Sequence, residues 1–155
     1  MNPRRRRISL AIALLALAGI VVSSVSLHHH FSTSKTSYCD IGENFNCDIV
    51  NRSTYSTVAG IPVALIGIVG YLSLLALTTL FRSKPETPAI VFIGSLGGLA
   101  FALYLTYVEA FVLATWCILC LSSLSLIFVI AVLSSVLMVI TTRQAREGGA
   151  EPMSS

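Results

Sequence analysis

The run CILCLSSLSLIFVIAVLSSVLMVI, residues 117–140, decides the fold. It is continuous, apolar and uncharged. A helix of this length, rising about 1.5 Å per residue, reaches the roughly 30 Å needed to cross the hydrocarbon of a bilayer. Three runs of the same kind precede it. Residues 8–27 and 61–81 are uncharged, and residues 89–114 carry one charge, Glu109. All four are continuous rather than alternating, so helices are expected and barrel strands are not. Composition agrees: of 155 residues, 55% are hydrophobic and 11% charged, and the mean hydropathy is +0.84. A soluble domain carries roughly a quarter charged residues. That excludes a nucleic-acid binder and a disordered chain, and it tells against a soluble enzyme. The expected fold is an all-α integral membrane protein of one domain, a four-transmembrane-helix bundle.

Lys and Arg set the orientation. Arg4 to Arg7 precede the first run, Arg82 and Lys84 follow the second, and Arg143 and Arg146 follow the fourth. Four crossings put these eight on one side and Lys35 and Arg52 on the other. The positive-inside rule then predicts a cytoplasmic basic N-terminus (1–7), a membrane domain (8–142) and a cytoplasmic tail (143–155) in the inner (plasma) membrane. The loop 28–60 and the short connection 112–116 face outward. A cleaved signal peptide, or a twin-arginine signal, is the competing reading of the N-terminus. The first run is longer than the apolar region of a signal peptide, and no small-x-small site introduces a soluble domain, so an uncleaved helix is preferred. The outward loop 28–60 is long for so compact a chain, which points to function. Within it, residues 48–57 are expected to form a short interfacial helix, with Val50, Tyr55 and Val58 as membrane-facing anchors. Pro62 suits the first turn of the second span, and the tail after Thr142 is expected to fray.

All four cysteines fall on the outward side, where disulfides form and persist. Cys39 and Cys47 make a spaced pair in the loop, and Cys117 and Cys120 make a C-x-x-C at the start of the fourth span. Residues i and i+3 of a helix share a face at a separation that a disulfide accepts. The N–H groups and dipole of a helix N-terminus favour a thiolate, the attacking species in thiol–disulfide exchange. Redox chemistry is therefore the leading reading. Two structural disulfides on a membrane scaffold are the alternative. Zinc held by four cysteines is a third reading, disfavoured by the C-x7-C spacing and the oxidising side. His28, His29 and His30 are open to metal binding, or to use as polar residues at the interface. Together with Glu109 and thiols they define a metal-binding or transport alternative. Glu109, the one ionisable residue inside the spans, either handles protons or snorkels to the interface. Gly94 and Gly98, with Gly67 and Gly70, are read as helix-packing positions. Trp116, Tyr104, Tyr107, Tyr55 and Tyr38 read as an aromatic belt or as quinone-stacking residues.

Read together, the segment Cys39-Asp40-Ile41-Gly42-Glu43-Asn44-Phe45-Asn46-Cys47, residues 53–56, Gly60-Ile61-Pro62 and Cys117-Ile118-Leu119-Cys120 resemble the vitamin K epoxide reductase family, in its bacterial branch. The resemblance covers roughly residues 8–140. The other four-helix disulfide oxidases, of the disulfide-bond protein B type, carry their C-x-x-C in the first outer loop; here the order is reversed.

The resemblance implies a quinone-dependent disulfide oxidoreductase. A separate thioredoxin-like (DsbA-like) protein outside the cytoplasm would deliver two electrons to Cys39. Cys47 would pass them on through a mixed disulfide with Cys117, and Cys120 would face a ubiquinone or menaquinone-type acceptor. Ser53 matches the family's hydroxyl near the quinone head group, and Tyr55 stands where animal members have Trp. Glu109 is grouped with these as a cofactor-site residue, and no metal is expected. Animal members also have a Tyr four residues after the last cysteine, where this chain has Leu124. They carry an Asn in the second span that finds no equivalent in 61–81. Both departures tell against epoxide reduction and anticoagulant binding.

Overall fold

The computed structural model describes residues 3–32, 45–81 and 83–148. Cys39, Tyr38, Lys35 and Arg82 lie outside the described residues. In chain order the elements are α1 (Pro3–Phe31), α2 (Cys47–Arg52), a 3₁₀ turn (Thr54–Ser56), β1 (Thr57–Val58), β2 (Ile61–Pro62), α3 (Val63–Thr79), α4 (Thr87–Val108), a π-helical turn (Glu109–Leu113) and α5 (Ile118–Gly148). Among the described residues three helical stretches, Pro3–Phe31, Thr87–Leu113 and Ile118–Glu147, are long and apolar enough to cross a membrane; Val63–Thr79 is a shorter apolar helix.

The helix ends follow local chemistry. Pro3 sits in the first turn of α1, where its missing N–H costs nothing, and Arg4 to Arg7 are good helix formers, so α1 begins before residue 8. Pro88 likewise opens α4. At the far end Arg143, Gln144, Ala145, Arg146 and Glu147 also favour helix. The expected frayed tail is therefore helical through Gly148. The second apolar run starts its helix at Val63 because residues 57–62 form a tight antiparallel hairpin, with Val58 opposite Ile61. Ala59 (φ 53°) and Gly60 (φ 81°) are its two turn residues, both left-handed. That is the backbone of a two-residue hairpin turn matched to the twist of its strands.

Helix α1 packs against α3 and α5, and α5 packs against α4. The core contains Ile12, Tyr71, Leu74, Val91, Ile127 and Ile130. Two close approaches lock it. Gly19 of α1 lies under the Tyr71 ring, so near that an added Cβ would be 2.4 Å from Cε1. Ser95 of α4 and Ser134 of α5, both fully buried, meet at 3.0 Å between their hydroxyls. The outward surface is apolar: Leu14, Val21, Ile93 and Phe111 are each more than 60% exposed, as side chains facing lipid should be.

Candidate functional site

Two segments carry the site, and backbone pairing joins them. Phe45 forms an isolated parallel bridge with Trp116, and Asn46 N–H donates to the Trp116 carbonyl at 3.2 Å. Each bridge partner lies just ahead of a cysteine segment, so Cys47 and Cys117 emerge side by side. They are 1% and 0% exposed and share a small apolar cluster with Val50, against which Leu113, Leu119 and Cys120 pack. Cys47 is disulfide-bonded; Cys117 and Cys120 are free. Helix α2 supplies the local frame. Asn46 Oδ1 accepts from Ile49 N–H at 3.2 Å, a side-chain cap on its first turn. The helix then turns Cys47, Val50 and Asn51 inward and Ile49 outward. Val50 is therefore not the membrane anchor expected of it, being buried against the cysteines, whereas Tyr55 and Val58 are more than 40% exposed.

The second segment depends on how α4 ends. In a straight helix Glu109 and Cys117 would stand about 12 Å apart along the axis. Instead the chain widens into the π turn at Glu109–Leu113 and reverses at Ala114, which is left-handed (φ 49°). The Glu109 carbonyl takes the Thr115 N–H at 3.1 Å. Its carboxylate Oε2 accepts the Cys117 N–H at 3.2 Å. Glu109 is 1% exposed, which removes the snorkelling alternative. Its other oxygen, Oε1, is buried without a hydrogen-bond partner among the described residues. A Glu109 oxygen and the sulfurs of Cys117 and Cys120 all lie within 4.8 Å of one another. These are ligand types that bind a soft divalent ion, in a grouping that differs from the four-cysteine zinc reading.

A cavity of about 470 Å³ opens on the other side of Cys120. Its walls come from α1, α3, α4 and α5, and its polar end from α2 and the 3₁₀ turn. The size falls in the range of small-molecule sites, which are mostly apolar with a few placed polar groups. Ser53, Tyr55, Glu109 and Cys120, all singled out from sequence, line it; Cys117 and Cys47 do not. Gly67, Gly70, Gly94, Gly97 and Gly98 line it as well. The glycines read as packing positions thus divide between two roles. An added Cβ would meet Ser23 at Gly67 and Ile127 at Gly98, but nothing within 4 Å among the described residues at Gly70 or Gly97.

The family model described as the vitamin K epoxide reductase family matches residues 10–135. The chain belongs to this family. It is accordingly a membrane oxidoreductase with several apolar helices. Vitamin K epoxide reductase family members in general use quinones and work with thioredoxin-like partners. Three of the four cysteines lie within the described residues, and they are gathered around one centre.

Sequence reading missed Asn51 and undervalued His30. Asn51 is 7% exposed, lines the cavity, and accepts from Ser26 Oγ at 2.8 Å through Oδ1. His30 also lines the cavity, with Nδ1 2.5 Å from the Asn51 carbonyl. The signal for Asn51 was its place four residues after Cys47, on the same face of a short helix.

Proposed function

We propose that this chain is a quinone-linked thiol oxidase that returns a thioredoxin-like (DsbA-like) protein to its disulfide form. One observation carries the reading. Cys117 is buried against the disulfide-bonded Cys47, while Cys120, three residues on, opens onto the cavity. The C-x-x-C therefore has one sulfur toward a second cysteine pair and one toward a space suited to an electron acceptor.

Each step is a thiolate attack through a mixed disulfide. The reduced partner attacks the Cys39–Cys47 disulfide at Cys39 and leaves oxidised, having made two thiols. Cys47 thiolate then attacks an oxidised Cys117–Cys120 pair at Cys117, releasing Cys120 thiolate. Cys39 resolves the Cys47–Cys117 link, re-forming its own disulfide and freeing Cys117. The Cys117 and Cys120 thiols then close to a disulfide, and a quinone held beside Cys120 would supply the sink for the two electrons and two protons released. Ser53 and Tyr55 would flank its head group, and the apolar walls would hold its tail. Glu109 holds the Cys117 main chain and has an open oxygen to receive the thiol proton.

In this reading α1, α3, α4 with its π turn, and α5 are four spans. Helix α3 has 17 residues and reaches roughly 25 Å, and Ile61, Pro62, Leu80 and Phe81 extend its apolar length. The same reading puts both termini in the cytoplasm and the cysteines on the outer side of the plasma membrane, which the distribution of Lys and Arg supports.

Trapping tests the relay. Cys120→Ser and Cys39→Ala proteins are purified without reductant and their disulfides mapped. A Cys47–Cys117 link is expected in at least one of them, together with loss of quinone reduction by the reduced partner. If only Cys39–Cys47 and Cys117–Cys120 ever form, the relay is wrong and the scaffold with static disulfides replaces it.

A further inference from the structure

Asn51 sits at the polar end of the cavity with both its carbonyl groups engaged. Ser26 Oγ–H donates to Oδ1 at 2.8 Å. The main-chain carbonyl lies 2.5 Å from His30 Nδ1; because a carbonyl only accepts, that nitrogen carries the proton. Helix α1 thus fixes Asn51 from two positions one turn apart. The remaining group, Nδ2, is buried and has no hydrogen-bond partner among the described residues. The side chain itself is more than nine-tenths buried. Buried amide N–H groups are almost always paired, because leaving one unpaired forfeits its hydration.

The neighbouring hydroxyls are differently placed. Ser53 Oγ–H donates to the Val50 carbonyl at 2.8 Å, and Ser56 Oγ–H to the Ser53 carbonyl at 2.7 Å. Their protons are held by the main chain, leaving lone pairs for a ligand. Ser53, whose hydroxyl the resemblance sets near the quinone head group, is thereby better suited to accept a hydrogen bond than to give one. The other buried side-chain atom without a partner among the described residues, Glu109 Oε1, is also an acceptor when ionised. A ligand with an acceptor oxygen therefore finds its complement in the amide of Asn51.

We propose that Asn51 Nδ2–H donates a hydrogen bond to a carbonyl oxygen of the quinone head group and so orients it beside Cys120. The assignment rests on the quinone reading above. A quinone carbonyl offers lone pairs and no proton, which matches a buried donor without a partner among the described residues.

The test uses the full chain in lipid nanodiscs with a short-chain benzoquinone and a short-chain naphthoquinone, each ¹³C-labelled at one carbonyl. Asn51→Leu removes the donor at similar volume. Asn51→Asp keeps the acceptor for Ser26 and the shape of the side chain, so a folding failure of the Leu variant leaves the test standing. Loss of one buried hydrogen bond predicts a rise of about tenfold in the KM for quinone. It also predicts an upward shift of the labelled carbonyl stretch relative to wild type. The wild-type spectrum carries its own requirement: one carbonyl must be lowered relative to the other. Two equivalent carbonyl bands in the wild type, or variants with unchanged KM and unchanged stretch, overturn the role of Asn51. A wild-type protein that reduces neither quinone overturns the quinone reading itself, and the Asn51 proposal with it.

Discussion

Gly19→Ala perturbs the bundle at a single methyl group. The added Cβ would lie 2.4 Å from Tyr71 Cε1 and 2.5 Å from Cδ1, and the three nearest atoms all belong to that ring. The ring has little room to yield. Tyr71 is 5% exposed, and its hydroxyl is held by the Ser123 carbonyl at 3.0 Å and the Ser123 hydroxyl at 2.9 Å. Overpacking costs about 1–3 kcal/mol. Pulling a buried hydroxyl off its partners adds about 1–3 kcal/mol. Better helix propensity offsets about 0.5–1 kcal/mol. The net loss is about 1–5 kcal/mol, which lowers the midpoint of a chain this size by about 2–20 °C. Thermal unfolding in detergent, followed by a thiol-reactive dye that reports exposure of the buried Cys117, measures it. In a Tyr71→Ala background the same change should be neutral or slightly stabilising. An equal loss in both backgrounds, or no loss in the wild-type background, refutes the α1–α3 approach.

Glu109→Leu leaves the Cys117 N–H buried without its acceptor, a loss of about 1–3 kcal/mol that should lower the midpoint by several degrees and slow quinone reduction. Glu109→Gln, which keeps an acceptor oxygen, should recover most of the stability; if it recovers all of the turnover as well, the carboxylate has no part in proton handling. Asn46→Ala removes the cap of a six-residue helix, worth about 1 kcal/mol. Hydrogen exchange at Ile49 and Val50 should speed up about fivefold while the amides of α5 remain unchanged. Uniform acceleration would mean that α2 is not a separate local unit.

The helices were legible because lipid-facing segments leave a direct mark: long apolar runs, three of the four without a charge. The C-x-x-C, Ser53 and Tyr55 were legible through motif and resemblance. The joining of the parts was not. A parallel bridge between Phe45 and Trp116 leaves no periodic trace across so long a separation. The π turn inserts its extra residue inside an apolar run where no pattern changes, yet it is what returns Glu109 to Cys117. The tail was misread because good helix formers continue past the apolar run in residues 143–148. Val50 was misread because one face of a six-residue helix is too short a sample to tell lipid from protein.

The glycines around the cavity have a further consequence. At Gly70 and Gly97 an alanine Cβ would meet nothing within 4 Å among the described residues, and alanine in a helix is more stable than glycine by about 0.5–1 kcal/mol at each position. The bundle thus forgoes stability that was sterically free to take, and what it keeps instead is volume. Because these positions lie on α3 and α4, away from the segments that align Cys47 with Cys117, the width of the chamber is adjustable one methyl at a time without disturbing the sulfurs. The width of the cavity and the alignment of the sulfurs are in this sense separate mechanical parts of one small protein, free to vary independently.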